Sequence, residues 1–358
     1  MKITDYTLHR LHLPLREPIG DSQVRFVDHW MTIVELHTDE GHSGVGFQIQ
    51  QGMPIANPAD LRTQFEYAVW PNLLGGSPLG LAQRITRPRG GNVGTGPRTP
   101  AVETALWDLV GKQQQQPLYH VLGGDNPRVP AYGSTLDFRL DDAEFRLKLK
   151  RFRELGFTAS VKTKVGAPDL AWDLRRLAIV KEEMGDDVRV MVDANEAWSV
   201  KETLIRLNAY RDAGHEIFWI EDPITREDYE GYARLCAELS FTRVNTGEYL
   251  DYSGKRRLLE HNAVDVLNVH DSVSATRAAA WLAADYGVPV SLGNTVLELG
   301  VHLAASLPEC LCLEFSDLVW NDIAVEPIRF EAGFAIAPDR HGHGIALDRD
   351  KVAFYSCP

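Results

Sequence analysis

The strongest constraint on this chain is a rhythm in its second part. From Val129 onward, short apolar runs recur at intervals of roughly 20–30 residues, at 129–133, 159–164, 188–193, 217–221, 243–248, 264–270, 288–294 and 310–314. Amphipathic stretches with helical spacing separate them, at 142–154, 170–183, 201–213, 227–238 and 274–286. Strands too apolar to face water on either side, alternating with helices, predict a parallel sheet with helical crossovers. Eight such units closed on themselves make a (β/α)8-type barrel. A doubly wound nucleotide-binding sheet is the competing architecture, and it needs a glycine-rich turn after its first strand. Ser134-Thr135-Leu136 follows the first run instead, and GxxxxGK[ST] is absent. The glycine-rich stretch from Gly90 to Gly96 has no strand before it and is followed by Pro97 and Pro100, so it reads as a loop rather than a phosphate cradle.

Upstream, the texture is different. Segments 3–13, 29–38 and 44–48 read as strands, and Asp39-Glu40-Gly41 marks a turn. Helical patterns follow at 58–74 and 101–114, with a Gly- and Pro-rich loop at 87–100 between them. Strands followed by helices suggest an α+β unit over 1–127, a barrel over 128–327, and a tail, 328–358, that returns to the first unit. The formal net charge of −13 disfavours nucleic-acid binding, but a local cation can still admit an anionic small molecule. Four cysteines without a CxxC pair give neither a disulfide framework nor a zinc motif. No apolar run reaches membrane-spanning length, and the first residues lack a signal peptide's apolar core, so a cytoplasmic protein with no membrane partner is expected.

Polar residues gather where the barrel runs end. In a parallel barrel all these ends open on one face, where active sites lie. Asp193, Glu221 and Glu248 end the third, fourth and fifth runs. Three anions in one partly desolvated mouth repel, and a hard divalent cation relieves that cost. Oxygen-only ligation favours Mg2+ over zinc. Taken singly, each acid could instead cap a helix or form an ion pair. Lys162 and Lys164 share one strand face by alternation, and an amine with its pKa lowered by neighbouring cations can serve as a base. His270 and Asn294, ending the sixth and seventh runs, would face Lys164 across the ring, and Glu314 ends the eighth.

At these residues the chain resembles the enolase superfamily, in its mandelate racemase and muconate-lactonising branches. Val161-Lys162-Thr163-Lys164 matches the family's lysine motif, and Val192-Asp193-Ala194-Asn195, Ile220-Glu221-Asp222-Pro223 and Thr246-Gly247-Glu248 match its three metal-ligand motifs. The stretch from Ala101 to Gly124 is similar to its bridge between capping domain and barrel. The resemblance implies an α+β capping domain, completed by the C-terminal tail, over a modified (β/α)7β barrel. It also implies Mg2+ on Asp193, Glu221 and Glu248, Lys164 as base, Lys162 as its carboxylate-binding companion, and Asn195 as a substrate contact. The family's chemistry removes a proton α to a carboxylate to give a metal-stabilised enediolate.

The chain departs from the family at two strand ends. Mandelate racemase-like members place Asp on the sixth strand and His on the seventh, and muconate-lactonising members place Lys on the sixth. Here those positions hold His270 and Asn294. The stretch from Pro14 to Ser22 is similar to the specificity loop of sugar-acid dehydratases, with Asp21, Ser22 and Gln23 suited to a hydroxylated substrate; a second capping loop is expected near 48–53. The reading is therefore a lyase dehydrating a sugar acid to a 2-keto-3-deoxy acid. The alternatives are a racemase, epimerase or cycloisomerase, and a non-catalytic carboxylate-binding homologue. Family resemblance also implies a homo-oligomer.

Overall fold

The computed structural model describes residues 1–51, 58–83, 99–270 and 272–357. The glycine-rich stretch from Gly90 to Gly96, Asp271 and the distal part of the second capping loop lie outside the described residues. The chain opens with a three-stranded antiparallel sheet, β1 (Ile3–Gly20), β2 (Arg25–Thr38) and β3 (Ser43–Gln51). The expected first strand stopped near Leu13, where Pro14 breaks the alternation. The structure carries it on to Gly20, because a register shift between Pro14 and Ile19 absorbs the irregular residues and pairing with β2 resumes. The expected specificity loop is thus the end of a long hairpin.

Helices α1 (Pro58–Gln64) and α2 (Pro78–Ala82) precede α3 (Pro100–Gln114) and α4 (Leu118–Val121). Thr99 caps α3 by accepting from Val102 N–H, and Pro100 occupies its first turn. Two glycines on β3 let α3 approach the sheet closely. A Cβ on Gly46 would fall 1.7 Å from the carbonyl oxygen of Ala101, and one on Gly44 2.2 Å from that of Ala105.

The barrel strands are β4 (Arg128–Ser134), β5 (Ser160–Lys164), β6 (Arg189–Asp193), β7 (Ile217–Glu221), β8 (Arg243–Thr246), β9 (Val266–Val269), β10 (Val290–Leu292) and β11 (Cys310–Phe315). Each pairs in parallel with the next, and β11 pairs back onto β4 through Leu313↔Ala131, so the ring closes and the doubly wound alternative is excluded. The crossovers are α5 (Asp142–Glu154), α6 (Leu170–Met184), α7 (Val200–Asp212), α8 (Tyr229–Glu238), α9 (Tyr252–Glu260), α10 (Val273–Asp285) and the short α11 (Gly300–Ala304). The nine residues of α9 show no helical pattern in the sequence, because they are crowded between two closely spaced apolar runs.

After β11 comes a 3-10 turn, Val319–Ile323, in place of an eighth standard helix. The tail then divides. β12 (Arg329–Glu331) pairs antiparallel with β13 (Phe334–Ile336), and β13 pairs antiparallel with β4. Beyond them α12 (Arg349–Tyr355) reaches the capping sheet, where Ser356 bridges Leu11 and Arg349 binds both carboxylate oxygens of Glu35 at 2.6 and 2.7 Å. No helix among the described residues is long and apolar enough to cross a membrane.

Candidate active site

Strand register builds the site. Lys164, Asp193 and Glu221 lie side by side across β5, β6 and β7. Alternation turns Lys162 and Lys164 to the same face, and both are buried. Lys164 Nζ donates to Asp193 Oδ2 and to Asn195 Oδ1, each at 2.6 Å. Lys162 Nζ donates to Glu221 Oε1 at 2.5 Å and lies 3.3 Å from Glu314 Oε2 and 3.7 Å from Asp193 Oδ2. Two aromatic residues that carry no motif signal in the sequence hold the acids from within the barrel. Trp219 Nε1 donates to Glu221 Oε2 at 3.2 Å, and the Tyr132 hydroxyl donates to Glu314 Oε2 at 3.3 Å. Trp219 was findable, since it stands two residues before Glu221 and alternation gives it the same face.

Glu248 lies beyond the strand it was expected to end. β8 stops at Thr246, and Gly247, with φ of +119°, turns the chain so that Glu248 enters from a loop. Its Oε1 lies 3.6 Å from His270 Nδ1. Burial pushes the Glu248 carboxyl up, yet the facing imidazole and the two lysines outweigh it and hold it at about 2. Burial likewise lowers His270, and Glu248 reverses that, so the imidazole's pKa is raised and its charged form favoured. His270 follows β9, four strands from the lysines in a ring of eight. Asn294 turns toward β11 instead, its N–H directed at Glu314 Oε2 at 3.3 Å and its amide donating to Ser316 Oγ at 3.1 Å.

Asp21 and Gln23, both expected to suit a hydroxylated substrate, take different places. Asp21 does not join the cluster, because its Oδ1 accepts from the N–H groups of Gln23 and Val24 at 2.6 and 3.0 Å and closes the hairpin turn. Gln23 makes the connection instead, its amide donating to the backbone oxygen of Asn195 at 2.6 Å. The protein's own charges raise both lysines, and a bound cation is what would bring them down. Burial depresses Lys164, but Asp193 overcomes it and the net shift is upward. Lys162 rises further, because Glu221 and Glu314 both face it.

The donor set fits a hard cation in chemistry and in charge. The carboxyl groups of Asp193, Glu221, Glu248 and Glu314 crowd against Lys162, Lys164 and His270. Burial raises the Glu221 carboxyl well above its usual range; Lys162 opposes that shift, while Asp193, Glu314 and Glu248 add to it. Such crowding is what a divalent ion relieves. Among the described residues no three His, Cys, Asp or Glu side chains converge closely enough to hold an ion as they stand, and the nearest partners of Glu221, Asp193 and Glu248 are Lys162, Lys164 and His270. The loops at this mouth also carry strain. Asn195, Glu196 and Asp222 are non-glycine residues with φ of 46, 62 and 39°. Asp222 is buried and its carboxyl is pushed up to about 7, chiefly by burial and then by Glu248 and Asp193.

The chain is similar to known proteins. Residues 144–351 match the family model described as enolase C-terminal domain-like, and residues 4–123 match the mandelate racemase / muconate lactonizing enzyme N-terminal domain. A 3,6-anhydro-alpha-L-galactonate cycloisomerase of Streptomyces coelicolor is 35% identical over 263 residues, covering 70% of each chain. The L-talarate/galactarate dehydratase of Salmonella typhimurium is 30% identical over 358 residues, covering 94% of this chain and 86% of its own. A solved structure of an L-talarate dehydratase from Polaromonas sp. JS666, complexed with Mg and L-glucarate, superposes with a TM-score of 0.84 at 26% identity, covering 100% of this chain and 98% of its own. This chain belongs to the enolase superfamily, in its mandelate racemase / muconate lactonizing enzyme branch.

Proposed function

We propose that this protein removes the proton α to the carboxylate of a sugar acid and eliminates the neighbouring hydroxyl, giving a 2-keto-3-deoxy acid. The observation that carries this reading is a lysine and a histidine on opposite sides of one acidic mouth, each held by a different carboxylate. Mg2+ on Asp193, Glu221 and Glu248 would supply positive charge to the substrate carboxylate and cancel the acids that otherwise keep the lysines charged. Lys164 takes the α-proton as a neutral amine. Lys162, anchored by Glu221, presents positive charge to the carboxylate. His270, positioned beside Glu248, gives a proton to the departing hydroxyl, which leaves as water. The resulting enol then becomes the ketone. Asn195 and Asn294 are the polar contacts at the rim, and Gln23 at the hairpin tip closes over Asn195.

A screen of sugar acids with Mg2+ for keto-acid formation tests the reading. The cycloisomerase similarity favours a second outcome, in which the same proton abstraction is followed by isomerisation rather than loss of water. Solvent deuterium at the α-carbon without a keto acid would select that alternative. Turnover undiminished in Lys164→Ala would remove both.

A further inference from the structure

A buried acid that the proposed reaction does not use lies against the backbone of Lys164. Asp137 follows β4 and is fully enclosed. Its Oδ1 accepts from Thr135 Oγ1 at 2.5 Å, from Thr163 Oγ1 at 3.0 Å and from the Lys164 backbone N–H at 3.0 Å. Strand lengths explain the last bond. β4 ends at Ser134, which pairs with Lys162, while β5 continues to Lys164. The Lys164 N–H therefore has no partner in the ladder on that side, and an unpaired buried N–H is costly. The Asp137 carboxylate takes the place of the missing strand.

The acid is aimed and held. Leu136, just before it, adopts φ of 49°, a left-handed conformation that a branched side chain rarely takes. The other oxygen, Oδ2, lies 4.0 Å from Arg176 Nε. Arg176 is itself buried, clamped between the rings of Phe145 and Trp172 at 4.6 and 4.7 Å, and it donates to the carbonyl of Leu140. A strained turn, a desolvated guanidinium and a three-donor carboxylate thus meet at the residue assigned the base.

We propose that Asp137 is a positioning residue for Lys164, fixing the backbone from which the amine reaches Asp193 and Asn195. This rests on the reading of Lys164 as base. The test compares Asp137→Asn, which keeps an acceptor oxygen, with Asp137→Ala, which removes it; Asp137→Ser replaces alanine if that variant does not fold. The first readout is amide hydrogen exchange of residues 160–166 in the full chain without substrate. Alanine or serine should expose the Lys164 amide about five- to tenfold, as loss of roughly one hydrogen bond predicts, while asparagine retains most of the protection. Unchanged protection in the alanine or serine variant overturns the proposal. The second readout is α-proton exchange of a sugar acid in deuterated water with Mg2+. A base displaced by about 1 Å loses about 100-fold in kcat. KM and Mg2+ affinity should stay within about threefold, and asparagine should recover most of the rate. A fall of kcat and Mg2+ affinity together with a rise of KM would mean general damage and also overturn it. If the unaltered enzyme exchanges no sugar acid, the functional reading fails, and amide protection alone decides the role of Asp137.

Discussion

Two side chains at opposite sides of the mouth make separable predictions. Lys164→Ala should abolish α-proton exchange by about 10²–10⁴-fold, the usual contribution of a general base. His270→Asn should leave that exchange largely intact while cutting keto-acid formation by a similar factor, because the histidine acts only on the leaving group. The check is to follow solvent deuterium and product in one reaction; equal losses in both would place His270 in the first step instead. His270 also illustrates how far local sequence reasoning reaches. Its position at the sixth strand end was legible. Its pairing with Glu248 was not, because the turn at Gly247 brings Glu248 in from a loop.

At the scale of elements, the contact between α3 and β3 depends on the absence of side chains. Gly46→Ala should destabilise the protein by about 1–3 kcal/mol through overpacking against Ala101, read as a lower urea midpoint. The anchor of α12 depends on charge. Burial raises the Glu35 carboxyl, but Arg349 and His9 outweigh it and hold it at about 2. A depressed carboxylate contributes stability that is present above its unfolded pKa, near 4.3, and is lost as pH falls toward 2. Arg349→Ala should therefore cost about 1–2 kcal/mol at neutral pH, less than a fully buried pair, since Arg349 is largely exposed and His9 still bonds Glu35. The measurable sign is that this variant and the unaltered protein converge in stability as pH falls from about 5 to 2.

For the whole molecule, the crowded acids couple ion binding to folding. Mg2+ at about 100 times its dissociation constant should stabilise the native state by about 2.7 kcal/mol, and Asp193→Asn should remove most of that gain. Thermal unfolding with Mg2+ and then with a chelator measures it. The barrel that gathers these acids was readable because eight apolar runs alternate with helices, and its closure follows once β11 meets β4. The division of the tail was harder to see. β12 and β13 are three residues each, too short for an alternating pattern to show.

The sequence alone determined the number of barrel strands, the face on which their ends open and the acids and lysines gathered there. Those features follow from periods of two and 3.6 residues, which neighbouring residues impose on one another. Tertiary structure decided the rest: Asp21 closing a turn while Gln23 reaches the barrel, Trp219 and Tyr132 bracing the acids, and Asp137 standing in for an absent strand behind Lys164. Each of these depends on where one strand stops or a left-handed residue turns the chain. Contacts between residues distant in sequence fix such points, and no local repeat encodes them.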